Sequence, residues 1–585
     1  MTFWPSASTL LVVTLTSSFE KSALAQGISP QLPEATLTSQ LPFQDNQPPS
    51  LQPLPLPQPQ PVLPNPDQLL QPSPPTPMTP QPTPEGVPQT IQVERFEVVG
   101  STVFSAEEFA AVTNPFTNRD ITFAELLEAR SAVTQLYVDQ GYVTSGSFIP
   151  PQSLEGRVVT IQVLEGRLEA INVSGTTRLR SNYVRERLAI AAQTPLNVNR
   201  LLEGLQLLQL NPLIQSVSAD LQAGVRPGTS LLEVRVAEAD SFSTEVSLDN
   251  GRSPSVGSFR QQVELNQANL LGLGDGLRIG YSHTAGSNTL NAGYTLPLNP
   301  RNGTLQLSIG MSDSRVIEEP FDQLEISSTS RYYELSLRQP LTQTPTEEFA
   351  LGLTASHQQS QTELGFNDIG PFPLSPGADD EGRTRVSAVR FFQEWTQRSN
   401  RQVLAARSQF SLGLDGFNAT VNDNAPDSRF LSWRGQGQWV RLLAPDTLLL
   451  VRGDVQLADE TLVSLEQFGL GGQQSGRGYR QDALLTDNGA LLSAEVRLPI
   501  ARVPEWRGLL QLSPFMDVGL GWNSGDTSDP DPNALVGVGL GLLWNQGDNV
   551  SARLDWGIPL VSIDSSGNSL QENGGISLSR EKQRR

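Results

Sequence analysis

The chain has no cysteine and only two histidines, His283 and His357, in 585 residues. The first absence removes disulfide scaffolds and thiolate metal sites. The second leaves almost nothing from which a histidine-based catalytic or zinc site could be built. Long apolar runs are missing too: no stretch of about 18 uninterrupted apolar residues occurs, so no helical membrane span is expected. Basic residues are in deficit, 40 Lys and Arg against 61 Asp and Glu, for a net charge of -21. That sign argues against nucleic acid as a partner, because phosphate neutralisation needs a basic surface. No nucleophile elbow or metal-ligand cluster stands out. Gly272-Leu273-Gly274-Asp275-Gly276 looks superficially like a phosphate loop. It lies between strand-like segments with no helix after it, which is the setting of a hairpin turn. Neither an enzyme nor a cofactor or metal site is expected.

What is present changes character along the chain. Residues 1–25 read as an export signal: Leu10 to Leu15 is a short, mostly apolar run, and Ala23-Leu24-Ala25 precedes Gln26 as an A-x-A cleavage site. Residues 26–90 form a Pro-rich linker, dominated by Pro and Gln from Pro42 to Pro88. Such a run cannot build a core, and it is expected to be a disordered or extended polyproline II spacer reaching on the order of 140 Å.

Residues 91–166 carry an α/β pattern. Ile91 to Val99 reads as a strand ended by Gly100. Ser105-x-x-Glu108 and Thr122-x-x-Glu125 are capping boxes that open two helices. In the second helix Leu126, Ala129, Val133, Leu136 and Tyr137 recur at helical spacing, and Gly141-Tyr142 closes it. Strands near Val143 to Ile149 and Val158 to Val163 follow. The order repeats over 167–239, with strands at 168–173, 214–221 and 231–236 and helices at 182–191 and 199–210. Two β-α-α-β-β modules in tandem are the expectation, and repeated small modules favour an adaptor or receptor.

From residue 240 to 585 helical periodicity disappears. Segments of about ten residues alternate in polarity between Gly, Asn, Asp and Pro, as in Leu277-Arg278-Ile279-Gly280-Tyr281. Sixteen such segments begin near residues 243, 258, 276, 288, 303, 329, 348, 384, 401, 430, 446, 489, 509, 535, 549 and 573. The pattern predicts a 16-stranded antiparallel transmembrane β-barrel, one face of each strand toward lipid and the other toward a polar lumen. Connections alternate between short turns, such as Asn299 to Gly303, and long loops, such as Thr362 to Glu381 and Ala458 to Gly489. A soluble sandwich or propeller is the competing architecture, and it explains neither regularity as well.

Two motifs then make the chain specific. Gly476-Arg477-Gly478-Tyr479 lies in the connection between the eleventh and twelfth segments, and Phe515-x-Asp517-x-Gly519 lies in the thirteenth. Phe515, Asp517 and Gly519 fall on one face of a strand. An arginine folded into a lumen would need a carboxylate in good geometry. Here the chain resembles the two-partner-secretion transporters of the ShlB/FhaC/HecB family, within the BamA-like superfamily. The resemblance covers roughly residues 91 to 580. It implies two periplasmic POTRA modules, a barrel in a bacterial outer membrane, and a loop folded back into the lumen with Arg477, Gly478 and Tyr479 at its tip. It further implies that Arg477 pairs with Asp517 in the wall motif Phe515, Asp517, Gly519. Gly141, Tyr142, Pro150, Gln152, Glu165 and Gly166 resemble the family's pattern in its first POTRA module. Three features depart from the family: Gly476 stands where valine is usual, residues 26–40 show no amphipathic plug helix, and the chain does not end in an aromatic residue.

The resemblance implies a secretion pore. Its partners would be an unfolded, haemagglutinin- or haemolysin-like exoprotein, outer-membrane lipid, and the barrel-assembly machinery for its own insertion. The modules and the Pro-rich segment would lie in the periplasm. A BamA-type assembly factor is the alternative function, and a passive porin is a third.

Overall fold

The computed structural model describes residues 46–56, 63–72, 90–153, 155–547, 549–563 and 576–584. Residues 1–25, expected to be an export signal, and 26–40, expected to form no plug helix, lie outside the described residues.

In the first module two capping boxes start the helices Ala106–Thr113 and Phe123–Asp139, with Ser105 and Thr122 as the cap residues. Each hydroxyl accepts from the backbone N–H three residues on, and each glutamate reaches back to the cap, so two orphan donors are satisfied at each start. Val133 and Tyr137 from the longer helix pack on Ile161 and Val163 of the strand Val158–Leu164. That strand is central: Arg95–Val99 pairs with it in parallel and Gly146–Phe148 antiparallel. The strand expected over 91–99 is in fact two. It breaks at Glu94, and Ile91–Val93 leaves to pair with Arg119–Ile121, a strand not foreseen. Three residues are too short for a periodic signal, and their pairing is set by the chain on the other side.

The second module has helices Ser181–Ala191 and Val198–Gln209 over the strands Arg167–Ser174, Ile214–Ala223 and Thr229–Glu238. Leu188, Leu201, Leu205 and Leu232 are fully buried in its core.

The linker is not disordered throughout. Pro66–Leu69 makes one helical turn, and Leu70–Pro72 then adds a parallel fourth strand to the second module beside Ile214–Ala223. Leu69 and Leu70 enter the core of that module. Residues 46–56 do not lie among the modules: they run inside the barrel. The pairing of the added strand and most of the lumen bonds use main-chain atoms, which a Pro-rich composition does not advertise, and Asn46 adds a side-chain bond to Ser330 Oγ at 3.2 Å.

The barrel strands are Phe242–Asp249, Arg260–Ala268, Gly276–His283, Ser287–Pro297, Thr304–Arg315, Ile326–Gln343, Glu347–Leu364, Arg383–Arg398, Gln402–Leu414, Leu431–Ala444, Thr447–Ala458, Asn488–Val503, Gly508–Trp522, Ala534–Gln546, Val550–Pro559 and Ile576–Arg584. Each begins within three residues of its expected start. Successive strands pair antiparallel, and the last closes on the first from Thr244 opposite Arg584 to Asp249 opposite Ser579. The alternation is inverted relative to a water-soluble core. Leu335, Leu353, Phe391, Phe410, Leu492 and Met516 point outward and are exposed, whereas Glu334, Thr354, Arg390, Gln409, Ser493 and Asp517 point inward and are buried. An outward apolar band with a polar interior is what lipid requires.

The short-turn end rests on the second module. Arg180 donates its N–H to the Gly272 carbonyl at 3.0 Å, and Arg187 Nε donates to Asn302 Oδ1 at 3.0 Å. Residues 269–275 form the turn read from the sequence, with Asp275 accepting from the Leu271 N–H at 2.9 Å.

Candidate functional site in the barrel lumen

The connection from 459 to 487 enters the barrel. Phe468–Leu470 and Leu484–Thr486 pair as a short antiparallel ribbon, and 471–483 form its tip. The tip turns on glycines: Gly471 has φ +113° and Gly478 φ +104°, a region costly for residues bearing Cβ. A Cβ on Gly476 would lie 3.2 Å from Gly471 Cα, so a valine there would press on the opposite limb of the turn.

Arg477 is buried at the wall. Its Nε donates to Asp517 Oδ2 at 2.8 Å and its Nη2 to Asp517 Oδ1 at 2.8 Å, a bidentate fork. Its backbone N–H also donates to Asp517 Oδ2, at 3.0 Å. Nη1 reaches Glu495 Oε2 at 2.6 Å, and Ser493 Oγ donates to Asp517 Oδ1 at 2.7 Å. The Phe515 ring lies under the guanidinium, 3.6 Å from its centroid. Arg553 and Arg497 hold Glu495 from other sides at 2.8 Å, and Arg553 also pairs with Asp555. Three arginines therefore face three carboxylates in one network. Breaking one partner out of such a buried set costs about 3–5 kcal/mol, because the remaining charge stays buried without compensation.

The other motif residues take different places around the tip. Tyr479 is buried, and its hydroxyl sits 2.9 Å from the Val536 carbonyl and 3.0 Å from that of Val561, on two wall segments. Gly478 lies against Gly557, where a Cβ would come within 2.5 Å of the Gly478 nitrogen. Gly537 similarly clears the Arg477 carbonyl. Gly519 faces Leu470 of the ribbon rather than the tip, with 3.1 Å between that side chain and a Cβ placed there.

Of the first-module motif residues, Gly141 and Gly166 lie at the joint between modules, and the other four pack within the first module. Gly141 accepts from the Val198 N–H at 2.9 Å and Gly166 from the Leu196 N–H at 2.7 Å. A Cβ on Gly166 would fall 2.1 Å from Thr144 Oγ1. Tyr142 packs edge-on to Phe104 and Tyr137. Gln152 pairs through its side-chain amide with both main-chain atoms of Thr160, at 2.8 Å each, and also approaches the Pro150 carbonyl at 3.3 Å. Glu165 accepts from the Thr102 N–H at 2.7 Å and lies 3.2 Å from the Tyr137 hydroxyl. Burial pushes that phenol up to about 12, so it remains a neutral donor.

A second fastening escaped the sequence. Glu466, at the foot of the same loop, meets Arg390 at 2.6 Å, and Gln358 donates to it at 2.9 Å. Arg390 also bonds Ser356, and both members of the ion pair are buried. Above them Leu462, Val463 and Leu465 join Phe321, Val386 and Phe430 in an apolar cluster at the long-loop end. Glu495, Arg553, Arg390 and Glu466 had one legible signal, a charge on the inward face of a strand or in the inserted loop. Period-2 alternation assigns a face, not a partner.

Comparison with known proteins matches the model of "Haemolysin secretion/activation protein ShlB/FhaC/HecB" to residues 228–543 and that of "POTRA domain, ShlB-type" to residues 91–166. The outer membrane transporter CdiB of Escherichia coli O6:K15:H31 is 24% identical over 505 residues, covering 83% of each chain. The heme/hemopexin transporter protein HuxB of Haemophilus influenzae (strain 86-028NP) is 23% identical over 488 residues, covering 78% of this chain and 80% of its own. The solved structure of CdiB from Escherichia coli superposes with a TM-score of 0.65 at 22% identity, over 87% of this chain and 93% of that one.

Proposed function

The chain belongs to the haemolysin secretion/activation protein family, ShlB/FhaC/HecB, whose members are two-partner-secretion outer-membrane transporters, and from that premise we propose that it captures an unfolded exoprotein in the periplasm and passes it through a loop-gated barrel. The barrel is an outer-membrane barrel, and its POTRA modules are periplasmic. We assign capture to residues 91–166 and 167–239 and conduction to 240–585. Strand addition is the favoured mode of capture. What supports it is that the second module's sheet already carries an added strand, Leu70–Pro72, from an extended segment of the chain itself. Lipid around the apolar band, and the barrel-assembly machinery during insertion, are the other partners we assign.

The observation that carries the gating role is the position of Arg477. It sits at the tip of a loop folded into the lumen, fastened to Asp517 and Glu495 of two neighbouring wall strands. A fastening of this kind can hold the loop across the lumen and release it as a unit. Arg477→Ala is the test, with export of a co-expressed secreted exoprotein of the two-partner type as the readout. Export should drop several-fold and the resting conductance should change, while a heat-modifiable barrel persists in the membrane. Unchanged export together with unchanged conductance would sink the gating role.

A further inference from the structure

The last barrel strand, Ile576–Arg584, closes the sheet, and its outward face is not wholly apolar. Val246 and Leu248 of the first strand point outward and are exposed. Lys582 stands directly opposite Val246, and Arg580 directly opposite Leu248. Residues opposed on neighbouring strands share a face, so both cations point out of the barrel, and both are exposed. On their other side they face Val550 and Ala552 of the fifteenth strand. Neither side chain meets a carboxylate among the described residues, whereas the inward arginines Arg390, Arg477 and Arg553 all do.

Register fixes their depth. Val550 opens the fifteenth strand directly after the short connection 547–549, so Lys582 lies at the short-turn edge of the sheet. Arg580 is two residues further, roughly 7 Å along a tilted strand. The short-turn end is the periplasmic end, so the pair sits where the headgroups of the inner leaflet meet the barrel. A cation there is tolerated far better than at the midplane, and one phosphate within reach of both supplies the charge they lack. The surroundings fit the rest of a lipid. Trp544 stands opposite Ala552 on the fourteenth strand with its ring over Gly508, and tryptophan suits the headgroup level. The small side chain of Ala552 leaves a gap between that ring and Arg580. On the other flank lies a shallow groove of about 400 Å3, with Val246, Leu248, Val263 and Tyr281 in its walls. It starts beside the two cations and climbs to Gln261 and His283 at the far ends of the second and third strands.

We propose that Arg580 and Lys582 bind the phosphate of an anionic phospholipid of the inner leaflet at the closing seam of the barrel, with an acyl chain in the groove beside Tyr281. A zwitterionic headgroup would bring its own cation to the two already present, so a net negative one is selected. The inference goes beyond the secretion reading and does not depend on it; it needs only a barrel that sits in the outer membrane.

The chain has no cysteine, so single labels can be placed for the test. The full chain carries a fluorophore on Leu554→Cys, an exposed outward position two residues from Ala552, or on Leu353→Cys, an exposed outward position on the seventh strand. Each is reconstituted in phosphatidylcholine vesicles with rising fractions of nitroxide-labelled phosphatidylglycerol or nitroxide-labelled phosphatidylcholine, and quenching is read. At Leu554 phosphatidylglycerol should half-saturate at a mole fraction about five- to thirtyfold below that of phosphatidylcholine, about fivefold for each cation. At Leu353 the two lipids should agree within about twofold. Arg580→Gln with Lys582→Gln should bring the Leu554 ratio down to the Leu353 value, while the barrel stays heat-modifiable. Equal ratios at the two positions in the chain that keeps both cations would overturn the site, and that comparison needs neither substitution. A preference at Leu554 that survives the double substitution would overturn the assignment to Arg580 and Lys582.

Discussion

The second periplasmic module and the barrel use the same device, alternation along a strand, to opposite ends. In Thr229–Glu238 the residues turned toward the helices are Leu232, Val234 and Val236, all buried, and the solvent face carries Glu233 and Arg235. In the eighth barrel strand the inward, buried residues include Arg390, and its neighbour Phe391 faces outward, exposed. Burial in the module means removal from water by apolar neighbours, which stabilises apolar side chains. Burial in the barrel means enclosure by polar neighbours, where a charge survives only with a partner. The hydrophobic surface excluded from water in the module is presented to lipid in the barrel. Residues 46–56 and 63–72 meet the two regimes separately: Leu69 and Leu70 complete an apolar core, while Ser50, Leu51 and Leu54 offer main-chain atoms to a polar lumen.

The strongest test of this contrast is Arg390→Leu, an apolar residue placed where an apolar core would welcome it. In the lumen it strands Glu466 without its cation, and the loss should be about 3–5 kcal/mol. The denaturant midpoint of the folded barrel in detergent checks it; the double variant Arg390→Leu with Glu466→Leu should recover most of the loss. A smaller effect is expected one residue along. Phe391→Arg at the middle of the lipid face should cost about 2–4 kcal/mol, whereas Leu127→Arg on the exposed face of the first module should stay within about 0.5 kcal/mol. Equal costs at the two positions, measured as midpoints in lipid vesicles, would mean that the outward face of the barrel does not meet lipid. The smallest effect concerns the module surface. The Thr122 backbone N–H, followed by Arg119, holds the Glu125 carboxylate at about 2, below its ordinary 4.5. A carboxylate depressed in the folded state stabilises above its unfolded value and loses that stabilisation as pH falls through the folded one. The protection factor against amide exchange at the start of helix Phe123–Asp139, with the intrinsic pH dependence of exchange divided out, should therefore be steady above about pH 4.5 and fall between 4.5 and 2. Glu125→Gln should flatten that dependence.

The barrel was legible because sixteen repetitions of a weak signal accumulate, and the helix starts because capping boxes are local chemistry. Arg477 and Asp517 were legible only together, as two motifs at the right places along the chain. Glu495 was not, since its strand pattern reveals an inward face and nothing about which arginine it meets. The Pro-rich segment was misread at Leu70–Pro72 and at 46–56, because composition says nothing of the backbone pairing that seats Leu69 and Leu70 in a core or of the main-chain bonds that hold Ser50, Leu51 and Leu54. The strand Arg119–Ile121 was missed for a similar reason: three residues acquire their conformation from Ile91–Val93 across the ribbon.

By itself the sequence determined the barrel's strand count, the two modules, their helix boundaries, and which residues of each barrel strand share a face. These follow from periodicity and capping, interactions that reach no further than four residues. Only the tertiary structure decided the partners of the inward charges, the second fastening at Glu466, and the course of residues 46–56 through the lumen. Those depend on closing the sheet, which brings groups hundreds of positions apart to within 3 Å, such as the Leu51 carbonyl and the Arg434 guanidinium. A buried charge or a bare carbonyl is stable only where that closure supplies its counterpart.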